Sequence, residues 1–537
     1  MWRGLITRRL TFITLWVFIS LSCLRLFPPR VSRFCLRIPT IGYILILGLF
    51  GLGVCLLRVI SCSRGFLFPI GLVGMLAWSL GRRVRVVGLG IGDNLSVNGF
   101  GHLTLHGVDL VGLCEKYGTP LFVFDEDALV EGFERFKRAF ESVYPKVMVC
   151  YSVKTNNNLA VCRVLRDRGA YAEVSSPLDL YVALKAGFPG DRIIYDGPFK
   201  PVEALEEAVR EGVLLVNCES FVELERLDRV AGRLGVEQAV GLRVNPFRRP
   251  GFFRSLHPKT LFEEAAFCFP RCRFGFSVDE VHRAFRYLKG LKNLRLECLM
   301  THPYRGAVGV LTPLFREACE GFGFEVNYLN IGGGFDPGTA GSTGDLLFVL
   351  DYVKERLGFR SSLDRRKGFR EIEDVAKEVV GEVERGLDGL SRPTLITEPG
   401  RFIVGPSGLL LLRVDHVKVS GGFKWVLVDG GTNLLPSFYE RRRILVANRV
   451  PGSDVELVNV VGPLLYPRDF VAVKAWLPKV GEGDILAVLD CGAYSLSSST
   501  QFLYPRPAAV MVGSGGGVRL IRVRETFEDV VGKDVLA

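Results

Sequence analysis

The chain has 537 residues, 48% hydrophobic and 23% charged, which is enough for a large catalytic domain and at least one more domain. Much of its net charge of +11 falls in the first 90 residues, and no stripe of Lys and Arg interleaved with aromatics follows, so a nucleic-acid-binding protein is not indicated. The 13 cysteines form no Cys-x-x-Cys pair and the six histidines form no His-Glu-x-x-His motif, so no metal site is expected. The cysteines are expected to be reduced thiols in a cytosolic compartment.

Residues 1–90 differ from the rest of the chain. Three apolar runs, each bounded by arginines, lie at residues 10–24, 41–57 and 65–80. Each run is at or below the roughly 17 residues that a membrane-spanning helix needs, and a signal peptide would have only one such run. Two interpretations stay open. One is a short helical membrane anchor through residues 10–80 on a cytoplasmic catalytic domain, and the other is translation that starts near Met75 or later.

From about residue 93 the chain alternates between short β-branched runs and helical patterns. The helical segments 176–187 and 201–212 each close on a glycine that suits a helix C-cap. Eight strands with intervening helices over about 260 residues predict a (β/α)₈ TIM barrel over residues 126–410. The predicted strands are 147–154, 170–176, 192–198, 213–220, 239–245, 296–303, 328–334 and 394–400.

After about residue 410 the helical patterns stop and further strand-like segments follow. Among them are residues 409–419, 424–431, 441–449, 484–490 and 507–515. They predict a smaller C-terminal β domain over residues 411–537. The strand-like stretch 93–125 precedes the barrel, and we expect it to join this β domain from the other end of the chain.

Reactive side chains of such barrels gather at the C-terminal ends of the strands. The predicted ends carry Lys154, Glu173, Ser175, Ser176, Asp196, His302, Gly332, Gly333, Gly334, Glu398 and Arg401. Backbone N–H groups of the three glycines can approach a phosphate closely, and a guanidinium can bind the same phosphate through two hydrogen bonds. A purely structural role of the glycine-rich turn stays an alternative.

Lys154 is an uncommon residue at the end of a strand that reads as buried. An amine beside a phosphate-binding turn suits a covalent link to pyridoxal phosphate, and we expect partial desolvation to lower its pKa and favour the attacking form. Glu398 is then placed to keep the pyridine nitrogen protonated. His302 is a candidate to stack on the ring, although a lone histidine at a strand end is also a common core residue.

Several motifs follow one another with characteristic order and spacing from about residue 93 to the end. They are YSVKTN (151–156), GAYAEVSSPLDLYVALKAGF (169–188), LNIGGGFD (329–336), EPGR (398–401), DCGAY (490–494), QFLYPRPAAVMV (501–512) and IRVRETFEDVV (521–531). In these motifs the chain resembles the fold-type III pyridoxal-phosphate decarboxylases, the diaminopimelate, ornithine and arginine decarboxylase group, whose barrel is alanine racemase-like. The opening stretch HLTLHGVDLVGLCEKYGTPLFVFDEDAL (102–129) most resembles the diaminopimelate branch.

The resemblance implies a lyase that removes CO₂ from an amino acid with pyridoxal 5'-phosphate as cofactor, most like the conversion of meso-diaminopimelate to lysine. It implies a homodimer with active sites shared between the subunits. The implied cofactor-binding residues are Lys154, Glu173, His302, Gly332, Gly333, Gly334, Glu398, Arg401 and Tyr494, with Lys154 and His302 also catalytic. Glu398 is implied on the pyridine nitrogen, and Tyr494 on the phosphate from the β domain.

Three stretches depart from the family pattern. The family segment Gly-Pro-x-Cys-acid reads GPLLY here, so Leu465 and Tyr466 replace a cysteine implicated in proton delivery and an acid that reads the far end of the substrate. We expect Tyr466, or a water that it holds, to act as the replacement proton donor. The family turn His-x-Gly-Ser becomes HPYR, with Arg305 at the serine. The family stretch that resembles Arg-Pro-Ala-Leu-Tyr reads LPSFY, which leaves Ser437 and Tyr439, together with Tyr466, as candidate substrate contacts.

Three functions therefore stay open. They are decarboxylation of diaminopimelate, decarboxylation of ornithine, arginine or a carrier-linked amino acid, and pyridoxal phosphate binding without decarboxylase activity. Glu398 argues against an alanine racemase, because racemases of that kind place an arginine at the ring nitrogen. The expected partners are an amino-acid substrate and a second copy of the chain, with membrane contact only through a genuine N-terminal extension.

Overall fold

The computed structural model describes residues 94–246, 273–304, 306, 308–338, 370–436 and 442–536. The interpretations of residues 1–90, as a membrane anchor or as a mistaken start, concern residues outside these ranges. Within the described ranges, no helix combines the length and the apolar character that crossing a membrane requires.

The predicted (β/α)₈ barrel is confirmed. Its eight parallel strands are β5 (Val147–Ser152), β6 (Tyr171–Val174), β7 (Ile193–Tyr195), β8 (Leu215–Cys218), β9 (Gln238–Asn245), β11 (Leu294–Met300), β12 (Tyr328–Asn330) and β13 (Thr394–Thr397). They pair in this order, and β13 returns to β5 to close the barrel. A two-residue strand, β10 (Phe276–Ser277), pairs beside the end of β9. Because all strands run in parallel, their C-terminal ends meet at one mouth of the barrel.

Helices connect the barrel strands. They span Glu126–Glu141, Leu159–Asp167, Pro177–Lys185, Val202–Arg210, Phe221–Leu234, Val278–Leu288, Val308–Arg316 and Ile372–Gly386. The side chain of the residue before a helix often accepts a hydrogen bond from one of the first N–H groups of that helix. The Ser176 side chain accepts from the Asp179 N–H, and the Asn158 side chain accepts from the Ala160 N–H. Gly187 and Gly212, the glycines expected at helix ends, have φ of +90° and +67° just past two of these helices.

The β domain is built around a strand from the N-terminal side of the barrel. Three short antiparallel strands, β1 (Leu95–Val97), β2 (Leu103–Leu105) and β3 (Val108–Asp109), come first, followed by the helix Leu110–Tyr117. Strand β4 (Leu121–Asp125) then pairs antiparallel with β14 (Gly408–Ser420) and parallel with β20 (Ala508–Val512). All five residues of β4 are buried, so this early segment forms part of the core of the second domain.

The remaining strands of the β domain extend from this centre. They are β15 (Phe423–Val428), β16 (Ile444–Val446), β17 (Val455–Val461), β18 (Phe470–Pro478), β19 (Ile485–Val488) and β21 (Val518–Arg522), and the short helices Arg401–Val404 and Phe527–Val531 flank the domain. Strands β17, β18 and β21 are not among the segments singled out from the sequence. Strand β18 is mostly half-buried although its sequence is mostly apolar.

An aromatic cluster holds two loops at the barrel mouth. Phe136, on the first barrel helix, lies with its ring centroid 4.8 Å from that of Phe335 and 5.4 Å from that of Phe402. Phe335 directly follows the glycine-rich turn, and Phe402 directly follows Arg401. Since all three rings are buried, this packing fixes the two loops relative to each other.

Asp469 holds the loop that contains Leu465 and Tyr466. Its buried carboxylate accepts from the Thr432 N–H at 2.6 Å, the Thr432 hydroxyl at 3.0 Å and the Leu464 N–H at 2.8 Å. A Cβ on Gly431 or Gly462 would lie within 2.5 Å of a carboxylate oxygen of Asp469, so both glycines are required for this close packing.

We expect Asp469→Ala to lower the free energy of unfolding by about 3 kcal/mol, because it leaves buried N–H groups of Thr432 and Leu464 without an acceptor. Chemical denaturation monitored by circular dichroism measures this loss. Asp469→Asn keeps one carbonyl acceptor and should lose less. Equal stability of the wild type and the Ala variant would contradict this account of the loop.

Candidate active site

A cavity of about 560 Å³ lies at the C-terminal ends of the barrel strands. Its lining comprises Lys154, Glu173, Ser175, Asp196, Gly197, Pro198, Arg243, Val244, Asn245, Pro246, Arg273, Phe274, Met300, His302, Pro303 and Glu398. Residues from six barrel strands or the loops after them thus meet in one space. A cavity of this size, with a few charged groups on a largely apolar wall, is typical of a small-molecule site.

Lys154 lies two residues beyond the end of β5, in the short 3₁₀ turn Val153–Thr155, and not in the strand itself. Its Nζ donates to the two carboxylate oxygens of Glu173 at 2.8 and 2.6 Å and to the hydroxyl of Ser175 at 2.9 Å. The side chain is 43% exposed because it faces the cavity. The amine is therefore held by neighbouring side chains and is still accessible to a ligand.

The prediction that the pKa of Lys154 is lowered is wrong for the folded protein without a bound cofactor. Burial alone lowers the pKa of Lys154, but the carboxylates of Glu173 and Glu398 outweigh burial, so this pKa is raised above its usual value. The same ion pair acts on the partner. Burial raises the pKa of Glu173, and the ammonium of Lys154 more than offsets it, so Glu173 stays ionised.

Three buried carboxylates converge beneath Lys154. One oxygen each from Glu173, Asp196 and Glu398 lies within 4.8 Å of the other two, although the residues come from the ends of β6, β7 and β13. Burial, followed by the charges of Asp196 and Glu173, raises the pKa of Glu398 well above its usual value. Burial and the charge of Glu173 likewise raise the pKa of Asp196. The floor of the cavity is thus acidic and readily takes up a proton.

Asparagines orient two of these carboxylates, and the sequence did not single them out. Asn330 donates to Glu398 at 2.6 Å and accepts from the Gly332 N–H at 2.8 Å, so it ties the carboxylate to the glycine-rich turn. Asn217 donates to Asp196 at 2.6 Å. Both lie at the ends of barrel strands, and this position is the only signal in the sequence that marks them.

The glycine-rich turn packs against His302 and the Glu398 backbone. The Gly333 N–H donates to Nδ1 of His302 at 3.1 Å, so that nitrogen is an acceptor and the proton of a neutral ring lies on Nε2. A Cβ on Gly333 would lie 2.5 Å from the Glu398 carbonyl oxygen, and Gly334 has φ of +97°. Only glycines allow this path of the chain, which leaves space beside backbone N–H groups.

Arg401 and Tyr494 bring the two domains together at the same mouth. Arg401 begins the short helix Arg401–Val404, and its guanidinium carbon lies 5.1 Å from the ring centroid of Tyr494. The Tyr494 N–H donates to the Thr155 carbonyl at 2.8 Å, and Asn156 donates to the Gly492 carbonyl at 2.9 Å. The segment that carries Lys154 is thus fastened directly to the β domain.

Other predicted site residues lie elsewhere. Leu465 and Tyr466 belong to the loop that Asp469 holds, with 93% and 46% of their surfaces exposed, and neither lines the cavity of its own chain. The candidates Ser437 and Tyr439, and Arg305, fall outside the described residues. Arg243, which the sequence did not single out, lines the cavity and pairs with Glu219 at 2.6 Å.

These residues fit pyridoxal phosphate. The cavity offers an accessible amine and a buried carboxylate for a ring nitrogen, and His302, which lines it, packs against the glycine-rich turn, where a side chain would clash. Arg401, at the start of a short helix, contacts Tyr494 of the β domain. Anionic phosphate groups bind at exposed N–H groups and arginines of this kind.

Comparisons with known proteins agree with this chemistry. Residues 127–405 match the family described as pyridoxal-dependent decarboxylase, pyridoxal binding domain. Diaminopimelate decarboxylase of Aquifex aeolicus (strain VF5) is 32% identical over 443 residues, covering 80% of this chain and 95% of that protein. The enzyme of the same name from Methanothermobacter thermautotrophicus is 34% identical over 452 residues, covering 82% of this chain and 96% of that protein.

Solved structures agree with the sequence comparison. The crystal structure of diaminopimelate decarboxylase from M. jannaschii in complex with L-lysine has a TM-score of 0.70 and 25% sequence identity, covering 83% of this chain and 98% of that one. The match extends over both domains, since it includes far more than the barrel. This chain belongs to the pyridoxal-dependent decarboxylase family.

Proposed function

We propose that this protein removes CO₂ from meso-diaminopimelate to form lysine, with pyridoxal phosphate bound at Lys154. The observation that carries the proposal is the meeting of Lys154 and Glu398 in one cavity, in a chain that is about a third identical to two diaminopimelate decarboxylases over some four-fifths of its length. The L-lysine in the related M. jannaschii structure is consistent with a lysine product.

Each residue of the site has a part in this proposal. Bound pyridoxal phosphate supplies the electron sink for the pair of electrons left when CO₂ departs. Lys154 would hold the cofactor through Nζ, and Glu173 and Ser175 orient that amine. Glu398, held by Asn330, keeps a proton on the pyridine nitrogen, and this proton makes the ring a stronger sink. His302, which lines the cavity, would cover one face of the ring.

The phosphate is assigned to the opposite end of the site. Gly332, Gly333 and Gly334 offer backbone N–H groups, Arg401 a guanidinium and Tyr494 a hydroxyl. Because Arg401 and Tyr494 are in contact, and the Tyr494 backbone binds the Lys154 turn, phosphate binding would fix the two domains and the amine in one geometry. Ser437 and Tyr439 remain proposed substrate contacts on the basis of the resemblance.

Carbon dioxide release from a panel of amino acids tests the proposal. We expect release from meso-diaminopimelate and much slower release from L-ornithine, L-arginine and L-lysine. Faster release from ornithine or arginine would assign the chain to another substrate of the family. A bound cofactor with no release from any of them would leave a binding protein without decarboxylase activity.

We further infer that the protein is a homodimer in which Tyr466 serves the site of the partner subunit. Leu465 and Tyr466 are exposed on a loop that does not reach the cavity of its own chain, so a role at a site requires a second copy. A phenol hydroxyl can donate the proton that the carbon needs after CO₂ leaves.

We expect Tyr466→Phe to lower kcat roughly 10²-fold, because it removes a positioned proton donor and little else. Steady-state CO₂ release measures the effect, and an unchanged kcat would end the assignment of Tyr466 as donor. Mixing Tyr466→Phe with Lys154→Ala protein distinguishes a site shared between two subunits from a site built within one chain. Mixed dimers should regain activity, since one site then has both wild-type residues, whereas a site within one chain would not recover.

A further inference from the structure

Arg273 is the one cation in the cavity lining that has no ion pair within the described residues. Of the other two permanent cations, Lys154 pairs with Glu173 at 2.6 Å and Arg243 pairs with Glu219 at 2.6 Å. The Arg273 guanidinium lies over an aromatic ring instead, with its carbon 4.6 Å from the Phe274 centroid. Its hydrogen-bond donors therefore remain available to an anion that enters the cavity.

The backbone next to Arg273 is held rigidly. Glu219 accepts from Arg243 through one oxygen and from the Gly275 N–H, at 3.1 Å, through the other. The Arg243 guanidinium also lies 4.9 Å from the Phe274 ring centroid. Strand β10 then pairs with the end of β9 immediately after this turn. Arg273 is thus positioned over the cavity by contacts that do not involve its own donors.

The charges in the cavity are separated between its floor and its wall. Glu173, Asp196 and Glu398 converge at the floor, so a second carboxylate of a substrate would be repelled there. Arg273 lies on the wall of the cavity, beside Phe274. A guanidinium stacked on an aromatic ring is a geometry that favours two-pronged binding of a carboxylate.

We propose that Arg273 binds the distal, non-reacting carboxylate of a dicarboxylic amino-acid substrate. This inference rests on the proposed function and names the residue that selects its substrate class. An ornithine-like substrate would bring an ammonium toward Arg273 and be repelled. The residue therefore favours substrates with two carboxylates over diamino acids with one.

Substitution of Arg273 tests the proposal against a matched control. Arg283 also lies over a phenyl ring, with its guanidinium carbon 5.3 Å from the Phe221 centroid, but it does not line the cavity. We expect Arg273→Met to raise the KM for meso-diaminopimelate roughly 10- to 100-fold, the range of one charge-assisted contact, with kcat little changed. Arg283→Met should leave KM unchanged, and Arg273→Lys should restore part of the affinity.

A binding measurement makes the test independent of turnover. Pimelate has two carboxylates and no amine, so calorimetric titration of the cofactor-loaded protein reports recognition alone. We expect wild-type protein to bind pimelate and Arg273→Met to bind it at least about tenfold more weakly, with an unchanged visible spectrum of the cofactor. Arg273→Glu should in addition shift preference from meso-diaminopimelate toward L-ornithine.

The outcomes separate the two proposals. Arg273-dependent pimelate binding without CO₂ release from meso-diaminopimelate would retain the anion site and reject the proposed function. Absence of pimelate binding to the wild type, or equal losses in Arg273→Met and Arg283→Met, would overturn the role of Arg273. If Arg273→Met does not fold, as judged by circular dichroism, Arg273→Lys and Arg273→Glu give the same comparison.

Discussion

Lys154→Ala is expected to abolish the visible absorption band of lysine-bound cofactor and to lower CO₂ release by roughly 10⁴-fold or more. In the proposed mechanism the amine is the point of cofactor attachment, and even a group that only transfers a proton contributes roughly 10²–10⁴-fold. The substitution also leaves the buried Glu173 without the ammonium that lies 2.6 Å from it. Absorption spectra of the purified protein and a CO₂ assay measure the two effects.

Lys154→Arg is the matched control for charge. A guanidinium keeps a positive charge beside Glu173, so the fold should be retained, but it cannot form the covalent link. We expect this variant to lack the band and the activity although its thermal unfolding stays close to that of the wild type. A lysine-type band in either variant would show that another amine holds the cofactor and would remove Lys154 from the proposal.

Glu398→Gln is expected to lower kcat roughly 10²–10³-fold, comparable to the loss of one preorganised electrostatic contact in a water-excluded site. The amide can still accept from Asn330 in place of the carboxylate oxygen, so the local geometry should persist. It lacks the negative charge that stabilises a protonated pyridine nitrogen. In the proposed mechanism this weakens the electron sink, while cofactor attachment at Lys154 is retained.

Kinetics and spectra together identify this cause. The visible band of Glu398→Gln should persist but respond to pH differently from that of the wild type, because the charge at the ring nitrogen has changed. Glu237→Gln serves as the control, since Glu237 lies just before β9, at the opposite end of the barrel. Wild-type kcat in Glu398→Gln would contradict the role of Glu398.

The acidic floor of the cavity explains why the expected pKa of Lys154 was wrong. Partial desolvation was the only influence visible in the sequence, where Lys154 follows an apolar run. The folded chain brings Glu173 and Glu398 beside it from β6 and β13, and their charges outweigh desolvation. Strand ends can be predicted individually, but the sum of their charges depends on how closely the closed barrel brings them together.

The sequence by itself determined the barrel and the candidate cofactor residues. Buried parallel strands are continuous apolar runs, so all eight could be located, and Lys154, the glycine-rich turn and Glu398 stand at or next to their C-terminal ends. The family resemblance rests on the same local motifs.

Only the tertiary structure decided which distant segments meet. Strand β4 pairs with β14 and β20, from the other end of the chain, and Arg273 lies in the same cavity as Lys154. Leu465 and Tyr466, which replace the residues of the family motif, lie on an exposed loop away from that cavity. The physical reason is that hydrophobic periodicity reports the burial of each segment, whereas its neighbours are chosen by barrel closure and by the pairing of strands far apart in sequence.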